Sequence, residues 1–211
     1  MKQFAVVCVF IFLCLCKATN VFAQIASGLH NPVFSALALA QGNAFVARAN
    51  DASAISFNPA GLTQLERPQV SLGAGFVLPS VEYHGNGISE DMDTGINTIP
   101  NLYFASPIIG NKLAAGLGIT VPYGLQGKWD ENGFSRFVIT DFELSIININ
   151  PTVTFQPSPF VSMGVGVDYY YARSEQEGRI PSLAAGAPEG FRDHEMHGDA
   201  FGYNAGILCN I

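Results

Sequence analysis

Between positions 112 and 123 the chain alternates large apolar residues with small or polar ones. Leu113, Ala115, Leu117, Ile119 and Val121 share one side of an extended strand, and Ala114, Gly116, Gly118 and Thr120 share the other. A period of two marks a β-strand. Positions 161–171 repeat the scheme. Val161, Met163, Val165, Val167, Tyr169 and Tyr171 alternate with Ser162, Gly164, Gly166 and Asp168. Such strands suit lipid on the bulky face and a lumen on the small, polar face. A soluble sandwich would turn the same apolar face into a core, so one strand alone does not separate the two. The pattern predicts six strands, at about 69–84, 98–108, 113–123, 136–156, 160–173 and 199–209.

The connections favour the barrel. Ile109-Gly110-Asn111-Lys112 and Pro157-Ser158-Pro159 are tight turns, whereas 85–97, 124–135 and 174–198 are long, polar and rich in glycine and acids. Short turns at one end and long loops at the other are the pattern of outer-membrane barrels. Tyr83, Tyr103, Phe104, Tyr123, Trp129 and Tyr169 to Tyr171 fall near predicted strand ends, as an aromatic girdle would; core packing is the alternative. The fourth strand changes phase. Phe142, Leu144 and Ile146 occupy one parity and Ile147, Ile149, Val153 and Phe155 the other. A β-bulge between Ile146 and Ile147 would keep one continuous apolar outer face; two shorter strands would also fit.

Composition narrows the class. Hydrophobic residues make up 48% and charged residues 13% of the 211 positions, a charged share about half that of a typical soluble domain. A net charge of -7 argues against nucleic acid as a partner. Lys2 followed by the apolar run from Phe4 to Cys16, then Val21-Phe22-Ala23, reads as a signal peptide over 1–23, cleaved before Gln24. Cleavage removes Cys8, Cys14 and Cys16 and leaves Cys209 alone, without an intramolecular disulfide. No later run is apolar enough for a spanning helix, so an exported chain of this kind is either a soluble secreted protein or a barrel.

Catalytic chemistry is not indicated. No serine stands in a nucleophile elbow, and no glycine loop is built to cradle phosphate. His194-Glu195-Met196-His197 is one residue short of the zinc-protease spacing. Glu90-Asp91-Met92-Asp93 sits in a predicted loop, where solvation, or lipopolysaccharide contact through bridging divalent ions, is expected. No enzyme activity, cofactor or resident metal is expected.

Positions 24–67 differ from the strands. They contain Ala36-Leu37-Ala38-Leu39-Ala40-Gln41-Gly42-Asn43-Ala44, then Asp51-Ala52-Ser53-Ala54-Ile55-Ser56-Phe57-Asn58-Pro59-Ala60-Gly61-Leu62. Asp51 followed by small residues and by Asn58, Pro59 and Ala60 resembles the N-terminal hatch of the FadL-type (OMPP1/FadL/TodX) transporters of fatty acids and hydrocarbons. Further stretches resemble that family in the same order: Ile99 to Ile108, Gly118 to Leu125, Tyr171-Ala172-Arg173 and Phe201 to Ile207.

The resemblance implies an all-β fold, an antiparallel transmembrane outer-membrane barrel of roughly fourteen strands plugged by a hatch. Six strands fit here, so the sequence is expected to be the N-terminal part of such a barrel, with a hatch over 24–67 and a partial wall over 68–211. The expected location is the outer membrane of a Gram-negative-type bacterium. The expected partners are a hydrophobic small-molecule ligand, outer-membrane lipid with its lipopolysaccharide, and the barrel-assembly machinery. The implied activity is passive: a fatty acid or aromatic hydrocarbon enters an apolar lumen and leaves sideways into the bilayer at a kink in the third strand. Val121 and Pro122 stand at the matching place, and proline cannot donate to a strand ladder. Arg173 and Arg179 are the nearest candidates for a ligand carboxylate. The competing readings are a structural or adhesive barrel without a dedicated ligand and a soluble secreted β-sandwich.

Overall fold

A computed structural model describes residues 30–182 and 186–209. The expected signal peptide lies outside these residues. Among the described residues, the N-terminal segment forms two short helices, α1 (Ala36–Leu39) and α2 (Ala54–Phe57), and a 3₁₀ helix over Pro59–Gln64. Eight strands follow: β1 (Gln69–Val77), β2 (Glu82–Gly85), β3 (Ile88–Asp91), β4 (Asn97–Ile109), β5 (Leu113–Lys128), β6 (Asp141–Ser158), β7 (Val161–Ile180) and β8 (Gly190–Cys209). Six of them make one antiparallel sheet in the order β1-β4-β5-β6-β7-β8. This is a partial barrel wall.

The predicted first strand, 69–84, stops early. Leu78-Pro79-Ser80 breaks it after Val77, and its last residues become β2 of a separate hairpin whose turn and second strand, β3, lie in the predicted loop. Asn86 and Gly87 at its tip both have positive φ, 52° and 75°, the backbone of a tight hairpin turn that Asn-Gly favours. Of the other long connections, 174–198 shrinks to 181–189 because β7 and β8 run well into it, while 124–135 shifts to 129–140 because β5 runs on to Lys128 and β6 starts only at Asp141. A strand needs about ten residues to cross a bilayer. Since β7 and β8 have 20 residues each, the wall continues far outside the membrane. Polar residues there read as loop although they lie in strand.

The faces explain the packing. Val70, Leu72, Leu102, Phe104, Leu117, Ile147, Val153, Phe155, Val165, Phe201 and Tyr203 are exposed on the outer side. Leu72 is 80% and Tyr203 89% exposed. Among the described residues no second sheet covers this side, as a soluble sandwich would require. The inner side instead meets the N-terminal segment. Phe45, Ile55, Leu62 and Leu65 are buried with Tyr103, Ala105 and Ala114 of the wall. A Cβ at Gly116 would come within 2.8 Å of the Ile55 side chain, so this small residue makes room for the plug. Burying such apolar side chains stabilises by about 1.5–3 kcal/mol each.

Two expectations are corrected by the register. The extra residue near the phase change is not on β6, which pairs with β7 in unbroken register through Ile146 and Ile147. It is on β5, where Thr120 pairs with Asn148 and Tyr123 with Ile146, leaving Val121 and Pro122 opposite Ile147 alone. The phase change on β6 reports a change of surroundings. Above Ile147 the outer face becomes Asp141, Glu143 and Ser145, and Phe142, Leu144 and Ile146 turn to the side of Asn148. The aromatic girdle is also narrower than expected. Phe104 faces outward and Tyr169 meets Phe201, 5.1 Å between ring centres. Tyr103, in contrast, is fully buried against the plug, and Tyr83 stacks on Phe134 of the 129–140 loop at 3.9 Å.

Candidate functional site

The Asn-Pro-Ala segment is seated against the wall by hydrogen bonds from both sides. Asn58 caps the 3₁₀ helix, its Oδ1 accepting from the Ala60 amide at 3.2 Å. Its Nδ2 donates to the Val46 carbonyl at 3.1 Å and to the Ile207 carbonyl of β8 at 3.2 Å. Pro59 fits the first helical turn, where no amide hydrogen is needed, and its carbonyl accepts from Thr154 of β6 at 2.7 Å. Thr63 donates to the Ala60 carbonyl at 3.1 Å and reaches Ser162 of β7 at 2.9 Å. Asp51 does not join this seat. Its Oδ1 accepts from the Ser53 amide at 2.8 Å and the Ser53 hydroxyl at 2.5 Å, closing the turn that leads into α2.

A second feature lies at Val121 and Pro122. The ladder between β4 and β5 starts at Ile109↔Leu113 and ends at Asn101↔Thr120. Both strands continue, β4 to Asn97 and β5 to Lys128, but each remains paired only with its other neighbour, β1 and β6. The sheet therefore splits at Pro122. Proline contributes here by lacking the amide hydrogen that the ladder would use.

The split is spanned from inside by the N-terminal arm. The Asn31 amide donates to the Pro122 carbonyl at 2.8 Å and its Nδ2 to the Val121 carbonyl at 3.2 Å. His30 lies edge-on to Tyr123 at 5.6 Å, and Val33 packs over Gly75 of β1. At the far end of the split Asp93 and Lys128 exchange two backbone hydrogen bonds of 2.8 Å.

Arg173 and Arg179 are not brought to the interior. Arg173 has the parity of Tyr169 and Tyr171, is exposed, and pairs with Glu175 and with Glu195 at 3.1 Å. Arg179 pairs with Glu131 at 2.7 Å. Both are bound to carboxylates of the protein on the outer rim. The periodicity carried this signal, since odd positions of β7 face outward. Arg192, which the sequence reading passed over, lies opposite inward-facing Gly178 and donates to the Val138 carbonyl.

A cluster on the inner wall was not legible in the sequence. Asp168 of β7 accepts from Asn148 at 2.8 Å and from Asn150 at 2.5 Å, both on β6. Each strand signalled an inward polar face, but the juxtaposition depends on the β6–β7 register, which sequence alone leaves open.

The comparisons with known proteins bear on the family and the fold. The family model described as "Outer membrane protein transport protein (OMPP1/FadL/TodX)" matches residues 18–211. The chain is 32% identical over 184 residues to a long-chain fatty acid transport protein of Salmonella typhi, covering 77% of this chain and 42% of that protein. It is 35% identical over 122 residues to putative outer membrane protein NMB0088 of Neisseria meningitidis, covering 53% of this chain and 26% of that one. Among solved structures, the toluene transporter TodX of P. putida matches with a TM-score of 0.57 at 17% identity, over 76% of this chain and 48% of that one. A Pseudomonas aeruginosa FadL homologue matches with a TM-score of 0.55 at 18% identity, over 77% and 45%. At such identities the two structures speak for the fold. The chain thus spans less than half the length of these relatives, and it belongs to the OMPP1/FadL/TodX family of outer-membrane transport proteins.

Proposed function

We propose that this chain is the hatch and first wall segment of a passive conduit for hydrophobic molecules, long-chain fatty acids or aromatic hydrocarbons. The ligand leaves the lumen sideways into the bilayer through the split between β4 and β5 at Val121 and Pro122. The carrying observation is that both strands continue past Asn101↔Thr120 without pairing to each other, while Asn31 occupies the freed carbonyls of Val121 and Pro122. Unpaired backbone facing lipid costs several kcal/mol per group. A covering arm removes that cost when the conduit is closed, and the arm must shift for a ligand to pass.

Two further features support this reading. Phe142, Leu144 and Ile146, with Tyr123 and Leu125 opposite in register, give the upper inner wall an apolar lining beside the split, as a hydrophobic ligand needs. Asn58, Pro59 and Ala60 fix the plug below it, so that movement concentrates in the arm. No step in this scheme needs a catalytic group. Outer-membrane lipid contacts the apolar belt, lipopolysaccharide meets the acidic outer rim, and the assembly machinery inserts the complete wall.

The test is uptake of labelled oleate and of labelled toluene by cells carrying or lacking the full-length gene. Faster uptake of either compound in carriers is the expected result. Equal uptake of both, with the protein folded in the outer membrane, would favour a structural or adhesive barrel.

A further inference from the structure

The inner wall has a polar belt between its apolar lining and the hatch. Ile146 and Asn148 are successive inward residues of β6, and Asn150 and Thr152 follow. Across the strands lie Asp168 of β7 and Asn204 of β8. Asp168, Asn148 and Asn150 are 6%, 9% and 4% exposed. The group is rich in acceptors. Asp168 already takes one amide N–H from each of Asn148 and Asn150, and the Thr152 hydroxyl is given to Asn150 Oδ1 at 2.5 Å. The Oδ1 atoms of Asn148 and Asn204 are shut off from solvent with no hydrogen-bond partner among the described residues. Asn150 Oδ1, Asn204 Oδ1 and Thr152 Oγ1 each lie 2.6 Å from the place a Cβ on Gly166 would occupy. Three oxygens thus converge over a bare backbone.

Buried acceptors without donors are costly, and a carboxylate more so. A guest that brings donors or positive charge relieves both. The nearest arginine on the inward parity of β7 and β8 is Arg192, opposite Gly178, ten residues up the strand from Asp168 and on the order of 30 Å away. A ligand carboxylate placed in the belt would meet like charge and further acceptors.

We propose that the belt of Asp168, Asn148, Asn150 and Asn204 is a head-group site for apolar molecules that carry a hydrogen-bond donor or a cation, such as alkylamines and alkanols. The hydrocarbon part lies along Ile146, Leu144 and Phe142. The head sits at the height of the Val121–Pro122 split, since Ile147 opposite the bulge lies between Ile146 and Asn148. The site sorts ligands by head group and disfavours carboxylates. This rests on the transport reading above.

The experiment is displacement of a fluorescent hydrocarbon, diphenylhexatriene, from the full-length protein purified in dodecyl maltoside. Decylamine, decanol, decanoate and decane are compared. Decylamine should displace the probe at about one tenth of the decanoate concentration or less, the effect of one charge-assisted hydrogen bond. In Asp168→Asn that advantage should fall by about tenfold with decane unchanged. Equal potency of decylamine and decanoate in the parent, or the same ratio in Asp168→Asn, overturns the head-group site while decane binding leaves the transport reading standing. Displacement by none of the four overturns both. The parent series needs no variant to fold, and Gly166→Ala, which places a methyl among the three oxygens, should weaken decylamine more than decane.

Discussion

The backbone amide of Asn31 donates to the carbonyl of Pro122 at 2.8 Å, across 91 positions of sequence. This bond and its companion from Asn31 Nδ2 to Val121 hold the N-terminal arm against the one place where β4 and β5 part. The contact is therefore local, and it can be weakened without touching the wall.

Replacing Asn31 by alanine removes the 3.2 Å side-chain bond and keeps the backbone bond. A hydrogen bond of this kind contributes about 1 kcal/mol, so the open arm should become roughly fivefold more populated. Entry of a hydrophobic dye into cells should rise by up to that factor, with the gel shift of the folded barrel unchanged. An unchanged entry rate would mean that the arm does not limit passage.

The hatch seat makes a different demand. Asn58→Ala strands the Ala60 amide and the Val46 and Ile207 carbonyls, a loss of about 2–3 kcal/mol. The barrel wall should still form, because its ladders are independent of Asn58. Limited proteolysis should cut within 46–64 much faster than in the parent. Equal protection would show that apolar burial of Ile55 and Leu62 alone holds the plug.

Glycines on β8 offer a matched pair. A Cβ at Gly206 would collide with the Asn58 side chain and meet Pro59 Cδ at 2.9 Å, whereas at Gly198 nothing lies within 4 Å. Gly206→Ala should displace the hatch and raise its protease sensitivity, and Gly198→Ala should leave it unchanged. If both behave alike, the packing of the 3₁₀ helix on β8 is wrong.

At the amino end, N-terminal sequencing of exported protein should begin at Gln24. A start at Met1 in the membrane fraction would contradict export by a cleaved signal.

Much of the wall was legible because a period of two survives wherever one side meets lipid and the other meets a plug. Positions 113–121 and 161–171 show it without interruption. Legibility failed where the surroundings changed while the strand continued. Phe142, Leu144 and Ile146 moved to the inner face as the outer face left the membrane, and this looked like a register shift on β6. The shift itself sits on β5, where the lone residue Ile147 faces two. The split was legible from Pro122 as a place of weakness, but not its cover, because the Asn31–Pro122 contact joins distant segments. Arg173 and Arg179 are the nearest arginines to the family's carboxylate-binding pattern, but their parity with Tyr171 sets them facing outward. The belt around Asp168 needed the alignment of three strands, which no single strand encodes.

The central claim is that hydrophobic ligands leave through the split at Pro122. Pro122→Val in the full-length protein restores an amide hydrogen that can pair with β4, whose Ile99 lies opposite if the register of Asn101↔Thr120 continues. Uptake of labelled oleate or toluene should fall roughly fivefold or more, the effect of about one added ladder hydrogen bond, while the heat-dependent gel shift of the folded barrel stays at the parental value. Parental uptake in a variant whose structure shows an unbroken β4–β5 ladder past Thr120 would contradict the lateral exit.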